Sequence, residues 1–162
     1  MMSRTLLLSV QPRYAERILD GEKTVELRKV RPNVKPGDAV ILYVSSPIKE
    51  IKAVATVEEV TSAHPNQLWE RIADDAGVSS CEFFEYFADK EVGHAIRFGK
   101  LRALDRPIAL SKLRSCWPNF HPPQVHLYIT EEKLKSLLDA IGRGSVKQSL
   151  LELFAPQLSA SI

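Results

Sequence analysis

The fold is decided by "GEKTVELRKV", residues 21–30. Gly21 is the type of residue that commonly ends a helix, and the segment after it alternates apolar and polar side chains as a β-strand does. We therefore predict a strand over residues 23–30, with Val25 and Leu27 facing the core. Because this strand directly follows a helix end, its position also indicates where the preceding helix stops and where the next elements can begin.

Four of the polar residues in this predicted strand are candidates for a site: Lys23, Thr24, Glu26 and Arg28. Alternation puts Lys23 on the core side, where its aliphatic stem can reach inward, and the other three on the opposite face. Two interpretations stay open. The charges form either a solvated face, where a Glu–Arg pair stabilises by about 0–1 kcal/mol, or the rim of a binding pocket.

Outward from this strand, apolar runs and alternating segments predict further strands, and helical spacing with end signals predicts helices. The predicted strands are residues 4–10, 23–30, 39–45, 50–60, 93–104 and 122–129. The predicted helices are residues 11–21, 66–77, 79–87 and 130–141, and residues 107–115 predict a brief helix or a loop. Ser79 and Glu82 have the spacing of a capping box.

The order of these elements indicates an α+β protein rather than a doubly wound parallel sheet, because no strand–helix–strand unit repeats. Five or six short strands with inserted helices favour a small, mostly antiparallel β-barrel that ends in a C-terminal helix. We expect residues 1–142 to form this single domain and residues 143–162 to form a C-terminal helical tail.

The composition is that of an ordinary globular domain: 162 residues, 44% hydrophobic, 26% charged, net charge +2. No apolar run reaches the roughly 18 residues that cross a membrane, and the apolar N-terminal stretch lacks a cleavage site, so we expect a cytoplasmic protein. Two cysteines and four dispersed histidines match no disulfide or zinc pattern. We therefore predict no metal and no cofactor.

Positive charge is concentrated in residues 97–114. This segment holds one acid, Asp105, against Arg97, Lys100, Arg102, Arg106, Lys112 and Arg114. Such a stripe attracts phosphates in a salt-dependent way, so it is a candidate surface for RNA. Scattered solvated cations are the competing interpretation.

Several segments together resemble one known family. They are the helix end with "ILDGEKTVELRK", then "KPGDAVILYVSSP", "EYFADKEVGHAI" and "PPQVHLY". Residues 4–129 resemble an ASCH domain, a family of the PUA-like superfamily of small β-barrels. The most diagnostic part is G-x-K-x-x-E-x-R, matched by Gly21, Lys23, Glu26 and Arg28.

The resemblance implies an RNA-facing domain with a cleft between the barrel and its first helix. It also implies recognition of RNA or a modified nucleoside. Some relatives cleave acyl groups from the exocyclic nitrogen of cytidine with a lysine, a threonine three residues on and a distant glutamate. Lys23 matches that lysine, whereas Glu26 stands at the threonine position and Thr24 lies one residue after the lysine.

Further candidates lie near the expected cleft. Arg13 and Tyr14 begin the first helix, where an N-terminus can receive a phosphate, although Tyr14 fits equally well in the core. Ser45 and Ser46 end the central strand, where turn chemistry explains them as well as cleft lining does. Gln124 matches the family's Pro-Gln signature and is a candidate hydrogen-bonding reader.

Three functions remain open. The first is binding of RNA or a modified nucleotide in a cleft lined by Lys23, Glu26 and Arg28, with backbone contacts from residues 97–114. The second is an enzyme, an N-acyl nucleoside hydrolase or a ribonuclease, with Lys23 as base or nucleophile and Glu26 or Glu82 as its acid partner. The third is a protein-interaction module using the C-terminal helix. No pattern indicates the oligomeric state.

Overall fold

The computed structural model describes residues 4–140. Its strands are Thr5–Val10 (β1), Val25–Arg28 (β2), Ala39–Val44 (β3), Glu50–Ala63 (β4), Gly93–Ala109 (β5) and His126–Ile129 (β6). Its helices are Pro12–Leu19 (α1), Pro65–Ile72 (α2), Ser80–Tyr86 (α3), Leu110–Cys116 (α4) and Glu131–Ala140 (α5).

The six strands form one sheet in the order β2-β5-β4-β3-β1-β6. β1 and β3 run parallel, and every other neighbouring pair is antiparallel. The sheet curves into a half-barrel, which confirms the predicted α+β, mostly antiparallel architecture. β2 and β6 are the two ends of this sheet, so any side chain that joins them closes the barrel.

The central strands β1 and β3 are buried on both faces of the sheet. One core cluster includes Leu7 and Ile41 and packs against α4 and α5, whereas the other includes Leu6 and Val40 and packs against α1. This explains why β1 and β3 are almost continuously apolar, because a strand covered on both sides has no polar face. A third cluster packs α2 and α3 against β2 and β5 around Phe83.

Several predicted boundaries differ from the structure; for example, α2 ends at Ile72 rather than at residue 77. β2 begins at Val25 rather than at residue 23, and β6 begins at His126 rather than at residue 122. β5 continues to Ala109, because it pairs with β4 as far as Glu50, and residues 110–116 form a helix. The prolines of residues 122–123 therefore lie in the loop before β6, where no ladder hydrogen bond is required of them.

Helix ends follow the predicted chemistry. Ser79 and Glu82 form the capping box of α3, and Thr130 accepts a hydrogen bond from the Lys133 amide at the start of α5. The predicted tail, residues 143–162, lies outside the described residues, so the division at residue 142 stays a prediction. Within residues 4–140, no helix is long and apolar enough to cross a membrane.

Candidate functional site

A cavity of about 470 Å³ opens where β1, β2, α1, α3 and the loop before β6 meet. Its lining comes from elements far apart in sequence: Ser9, Val10, Gln11, Tyr14, Lys23, Glu26, Leu27, Arg28, Ser45, Val78, Glu82, Tyr86, Pro122, Pro123 and Gln124. The cavity therefore lies at the gap between the two ends of the half-barrel.

Three charged side chains are buried together beside this cavity. Lys23, Glu26 and Arg28 are 2%, 6% and 8% exposed. Glu26 lies between the two cations, with its Oε1 atom 3.9 Å from Lys23 Nζ and its Oε2 atom 3.7 Å from an Arg28 nitrogen. We call these three residues the charged triad. Side chains this buried do not form a solvated face, and the binding-pocket interpretation of the motif stays a prediction.

The expected position of Lys23 on the opposite face from Glu26 and Arg28 is wrong. Alternation does not extend to Lys23, because this residue precedes β2 and is held by other contacts. Its amide donates to the Arg17 carbonyl at 2.9 Å, and the amide of Thr24 donates to the Asp75 carbonyl at 2.9 Å. These bonds turn the Lys23 side chain toward Glu26.

The surroundings of Lys23 lower the pKa of its ammonium group. Burial lowers the pKa of Lys23, and the Arg17 and Arg28 charges lower it further, whereas Glu26 opposes the shift. The Lys23 ammonium donates to the Ala76 carbonyl at 2.7 Å and lies 5.6 Å from the centre of the Tyr14 ring. A buried lysine with a lowered pKa can accept or deliver a proton at lower pH than an exposed one.

Arg28 joins the two ends of the half-barrel. Its terminal nitrogens donate to the Val125 carbonyl at 2.7 Å, just before β6, and to the Ser9 carbonyl in β1 at 2.9 Å. Its Nε atom is buried and has no hydrogen-bond partner among the described residues. Arg28 thus fixes the loop that carries Gln124 into the cavity wall, and it keeps one unused donor.

The rim beside α1 is basic and aromatic. Arg13 donates to the Tyr14 hydroxyl at 2.6 Å, and its guanidinium lies 4.5 Å from the centre of that ring. Arg13 and Arg17 each lie 3.7 Å from a carboxylate oxygen of Glu82, whose pKa is lowered by its bond to the Ser79 amide and by these arginines. Tyr14 both lines the cavity and packs against the core.

Two polar residues of the lining that have hydroxyl groups, Tyr86 and Ser9, were not predicted from the sequence. Tyr86 donates to the Leu27 carbonyl at 3.3 Å, and burial raises the pKa of its hydroxyl. Its neighbours Phe83 and Phe87 are fully buried core residues. Because Tyr86 belongs to the same aromatic run, the sequence alone does not distinguish this cavity-lining residue from its core neighbours. Ser9 sits in an apolar strand, where no local pattern separates a cleft hydroxyl from a buried one.

The structure brings together only some of the predicted site residues. Ser45 and Gln124 line the cavity with Tyr14 and the charged triad. Five predicted site residues lie outside the cavity lining. Arg13 lies on the rim, the Thr24 amide is hydrogen-bonded to Asp75, and Ser46 is exposed in the turn after β3. Arg97 pairs with Asp75 at 3.0 Å, and Arg102 is exposed on β5. Arg97 is therefore already paired with a carboxylate, and its role at the basic surface stays a prediction.

Within residues 4–140, no group of three or more histidine, cysteine, aspartate or glutamate side chains is placed to hold a metal ion. Both cysteines are free, with Cys81 exposed and Cys116 partly buried. The polar groups that line the cavity are lysine, arginine, carboxylate, hydroxyl and amide groups.

A half-barrel with these strands and a cleft between its open edge and its first helix defines a PUA-like domain. The family model of the ASCH domain matches residues 8–102, and the chain belongs to this family. A crystal structure of ASCH from Zymomonas mobilis has a TM-score of 0.78 and 28% sequence identity, covering 83% of this chain and 94% of that one.

Two further comparisons bear on the family and the fold. The chain is 29% identical over 132 residues to the ASCH domain-containing ribonuclease of Zymomonas mobilis, covering 82% of this chain and 88% of that protein. It also resembles the N-terminal domain of Staphylothermus marinus McrB, with a TM-score of 0.52 at 12% identity, covering 89% of this chain and 96% of that one. The second likeness concerns the fold alone.

Proposed function

We propose that this protein binds single-stranded RNA and takes one unpaired nucleotide into the cavity. The observation that carries the proposal is the charged triad, three buried ionic side chains beside a cavity of about 470 Å³. That volume is within the usual range for small-molecule sites, which is roughly 300–1,000 Å³. Buried polar groups with unused hydrogen-bonding capacity are costly to keep, so they are typical of a site that a polar ligand completes.

The lining suits a nucleotide. Glu26 accepts N–H groups, whereas Arg28, Lys23 and Gln124 donate to base or sugar oxygens. Tyr14 offers an aromatic ring at the rim, and stacking of one base on an aromatic side chain contributes about 1–3 kcal/mol. Base recognition of this kind requires an unpaired nucleotide, because the edges of paired bases are already occupied.

The phosphates on either side of the bound nucleotide would follow exposed cations on β5. Lys100, Arg102 and Arg106 are exposed there. Because contacts with phosphate release counter-ions, binding through these residues would weaken as salt concentration rises. Arg97 is left out of this surface, since Asp75 already pairs with it.

A second function, cleavage of the bound RNA, is favoured by the ribonuclease name of the Zymomonas mobilis relative. In that reaction Lys23 in its neutral form would take the proton of the 2′-hydroxyl, which attacks the adjacent phosphorus and expels the 5′-oxygen. The Tyr14 hydroxyl or a solvent molecule would supply the proton that the leaving oxygen needs. The lowered pKa of Lys23 supports this role.

The two other functions have less support. Deacylation of an N-acyl cytidine by relatives uses a threonine where this chain has Glu26, and Thr24 lies outside the cavity lining. A protein-interaction role for α5 would need a free apolar face. Leu134, Leu137 and Leu138 of α5 are instead buried in the domain's own core.

The proposal is tested by fluorescence anisotropy with a labelled mixed-sequence RNA 12-mer. We expect Tyr14→Leu to weaken binding by about 5- to 100-fold, the equivalent of one lost stack. Phe84→Leu, at an exposed aromatic outside the cavity lining, is the control and should leave binding unchanged. Equal affinities for the wild type and Tyr14→Leu would contradict binding in this cavity.

The same samples separate binding from turnover. A denaturing gel of the incubated 12-mer reports strand cleavage, and mass spectrometry of an acylated-cytidine sample reports deacylation. Loss of cleavage in Lys23→Met, with cleavage kept in the exposed control Lys90→Met, would establish the ribonuclease reaction. If the RNA stays intact with wild-type protein, RNA binding without cleavage is the function that remains.

A further inference from the structure

The charged triad presents its hydrogen-bonding groups in a fixed order. Glu26, an acceptor, lies between two donors, because one of its oxygens faces Lys23 at 3.9 Å and the other faces Arg28 at 3.7 Å. All three residues line the cavity. A ligand that lies along them therefore meets a donor, an acceptor and a donor in sequence.

Each member keeps capacity for a ligand. Glu26 accepts one hydrogen bond, from the Leu27 amide at 3.1 Å, and a carboxylate has about four acceptor positions. Lys23 uses one of its hydrogens on the Ala76 carbonyl. Arg28, 8% exposed, has a buried Nε–H with no partner among the described residues, and the buried hydroxyl of Ser9 beside it is likewise unpaired there.

We infer that the cavity selects uracil among the RNA bases, an inference that rests on the proposed binding of RNA. The Watson–Crick edge of uracil presents a carbonyl, an N–H and a second carbonyl, which complements a donor, an acceptor and a donor. The N3–H would donate to Glu26, and the two carbonyls would accept from Lys23 and Arg28.

The other three bases mismatch this order. Cytosine presents a lone pair at N3, which would face the Glu26 carboxylate, and an amine that would face a cation. Adenine presents one amine and one lone pair and has no carbonyl. Guanine matches at its carbonyl and its N1–H, but its N2 amine would meet the second cation. A buried site strongly rejects a base with an unmatched polar group, because the protein group that faces it is left without a hydrogen bond.

The test uses wild-type protein and RNA five-mers in which only the central nucleotide carries a base. The probes carry uracil, cytosine, adenine, guanine or N3-methyluracil, and the mixed-sequence 12-mer is the positive control. We expect uracil to bind about 10- to 100-fold tighter than cytosine or adenine. N3-methylation should remove this preference, because it replaces the N–H that Glu26 accepts.

A variant adds an independent check. Glu26→Gln carries both an acceptor and a donor, so the ratio of uracil to cytosine affinity should fall by about 10-fold or more. Glu85→Gln, at an exposed position on α3, should leave the ratio unchanged.

The outcomes distinguish this inference from the proposed function. If neither the 12-mer nor any five-mer binds, the proposed function fails. RNA binding stands, and the inference of uracil selection is overturned, if the 12-mer binds but the five-mers show any of four results. These results are equal affinities for all bases, a preference for another base, an unchanged affinity for N3-methyluracil, or no binding of any five-mer.

Discussion

The charged triad predicts unequal stability costs for removing its members. Glu26→Gln would keep the shape of the side chain but leave Lys23 and Arg28 buried with no counter-charge. Removing one partner of a buried ion pair typically costs about 3–5 kcal/mol in the free energy of unfolding. Lys23→Met instead leaves the Glu26–Arg28 pair in place and removes one buried charge.

The cost of Lys23→Met is therefore smaller. The Lys23→Met variant loses the hydrogen bond from the Lys23 ammonium to the Ala76 carbonyl, which is worth about 1.5–3 kcal/mol. This loss is offset in part, because the variant no longer bears the cost of removing the Lys23 charge from water. We expect Glu26→Gln to be more destabilising than Lys23→Met by about 2 kcal/mol. The double variant should cost about 1–3 kcal/mol less than the sum of the single variants, because Lys23 is then no longer unpaired.

Urea unfolding at pH 7, followed by circular dichroism, measures these free energies. Glu85→Gln and Lys90→Met, at exposed positions, are the matched controls and should change stability by less than about 0.5 kcal/mol. The reasoning is refuted if Lys23→Met costs as much as Glu26→Gln, or if the single costs add in the double variant.

Three further predictions concern the support of the site. Gly77→Ala should destabilise the protein more than Gly37→Ala, because both glycines have positive φ but the added Cβ would meet an atom only at Gly77, 2.5 Å from Lys23 Cβ. Thermal unfolding measures both variants, and equal losses of stability would contradict this prediction. Ser79→Ala should cost about 1 kcal/mol through loss of the α3 cap, whereas Ser80→Ala should not, as measured by urea unfolding. Because the pKa of Lys23 is lowered in the folded state, the unfolded chain binds more protons between that pKa and 10.5. Stability should therefore rise with pH in this window, relative to Lys23→Met, and a flat difference would contradict the assigned shift.

Local patterns in the sequence were enough to predict the sheet. Apolar runs identified β1 and β3, and the capping box located the start of α3, because these signals depend on neighbouring residues alone. The end of β5 was missed because it is set by pairing with β4 through Glu50 and Ala109, a contact between distant segments.

The candidate site was predicted only in part for the same physical reason. Lys23, Glu26 and Arg28 stood out in one short motif, but the side on which Lys23 lies depends on hydrogen bonds to Arg17 and Asp75. The contact of Arg28 with the Val125 carbonyl spans 97 residues, and no periodicity encodes it. Likewise, the ion pair of Arg97 with Asp75 joins two segments that are 22 residues apart, and no local pattern encodes it.

The most direct test of RNA binding in the cavity is chemical-shift mapping of the amide resonances of the 162-residue chain during titration with the RNA 12-mer. We expect the largest changes at the amides of Ser9, Tyr14, Glu26 and Gln124, with smaller, salt-sensitive changes at Lys100 and Arg102. Large changes confined to β5, or to surfaces away from the charged triad, would contradict a nucleotide-binding cavity.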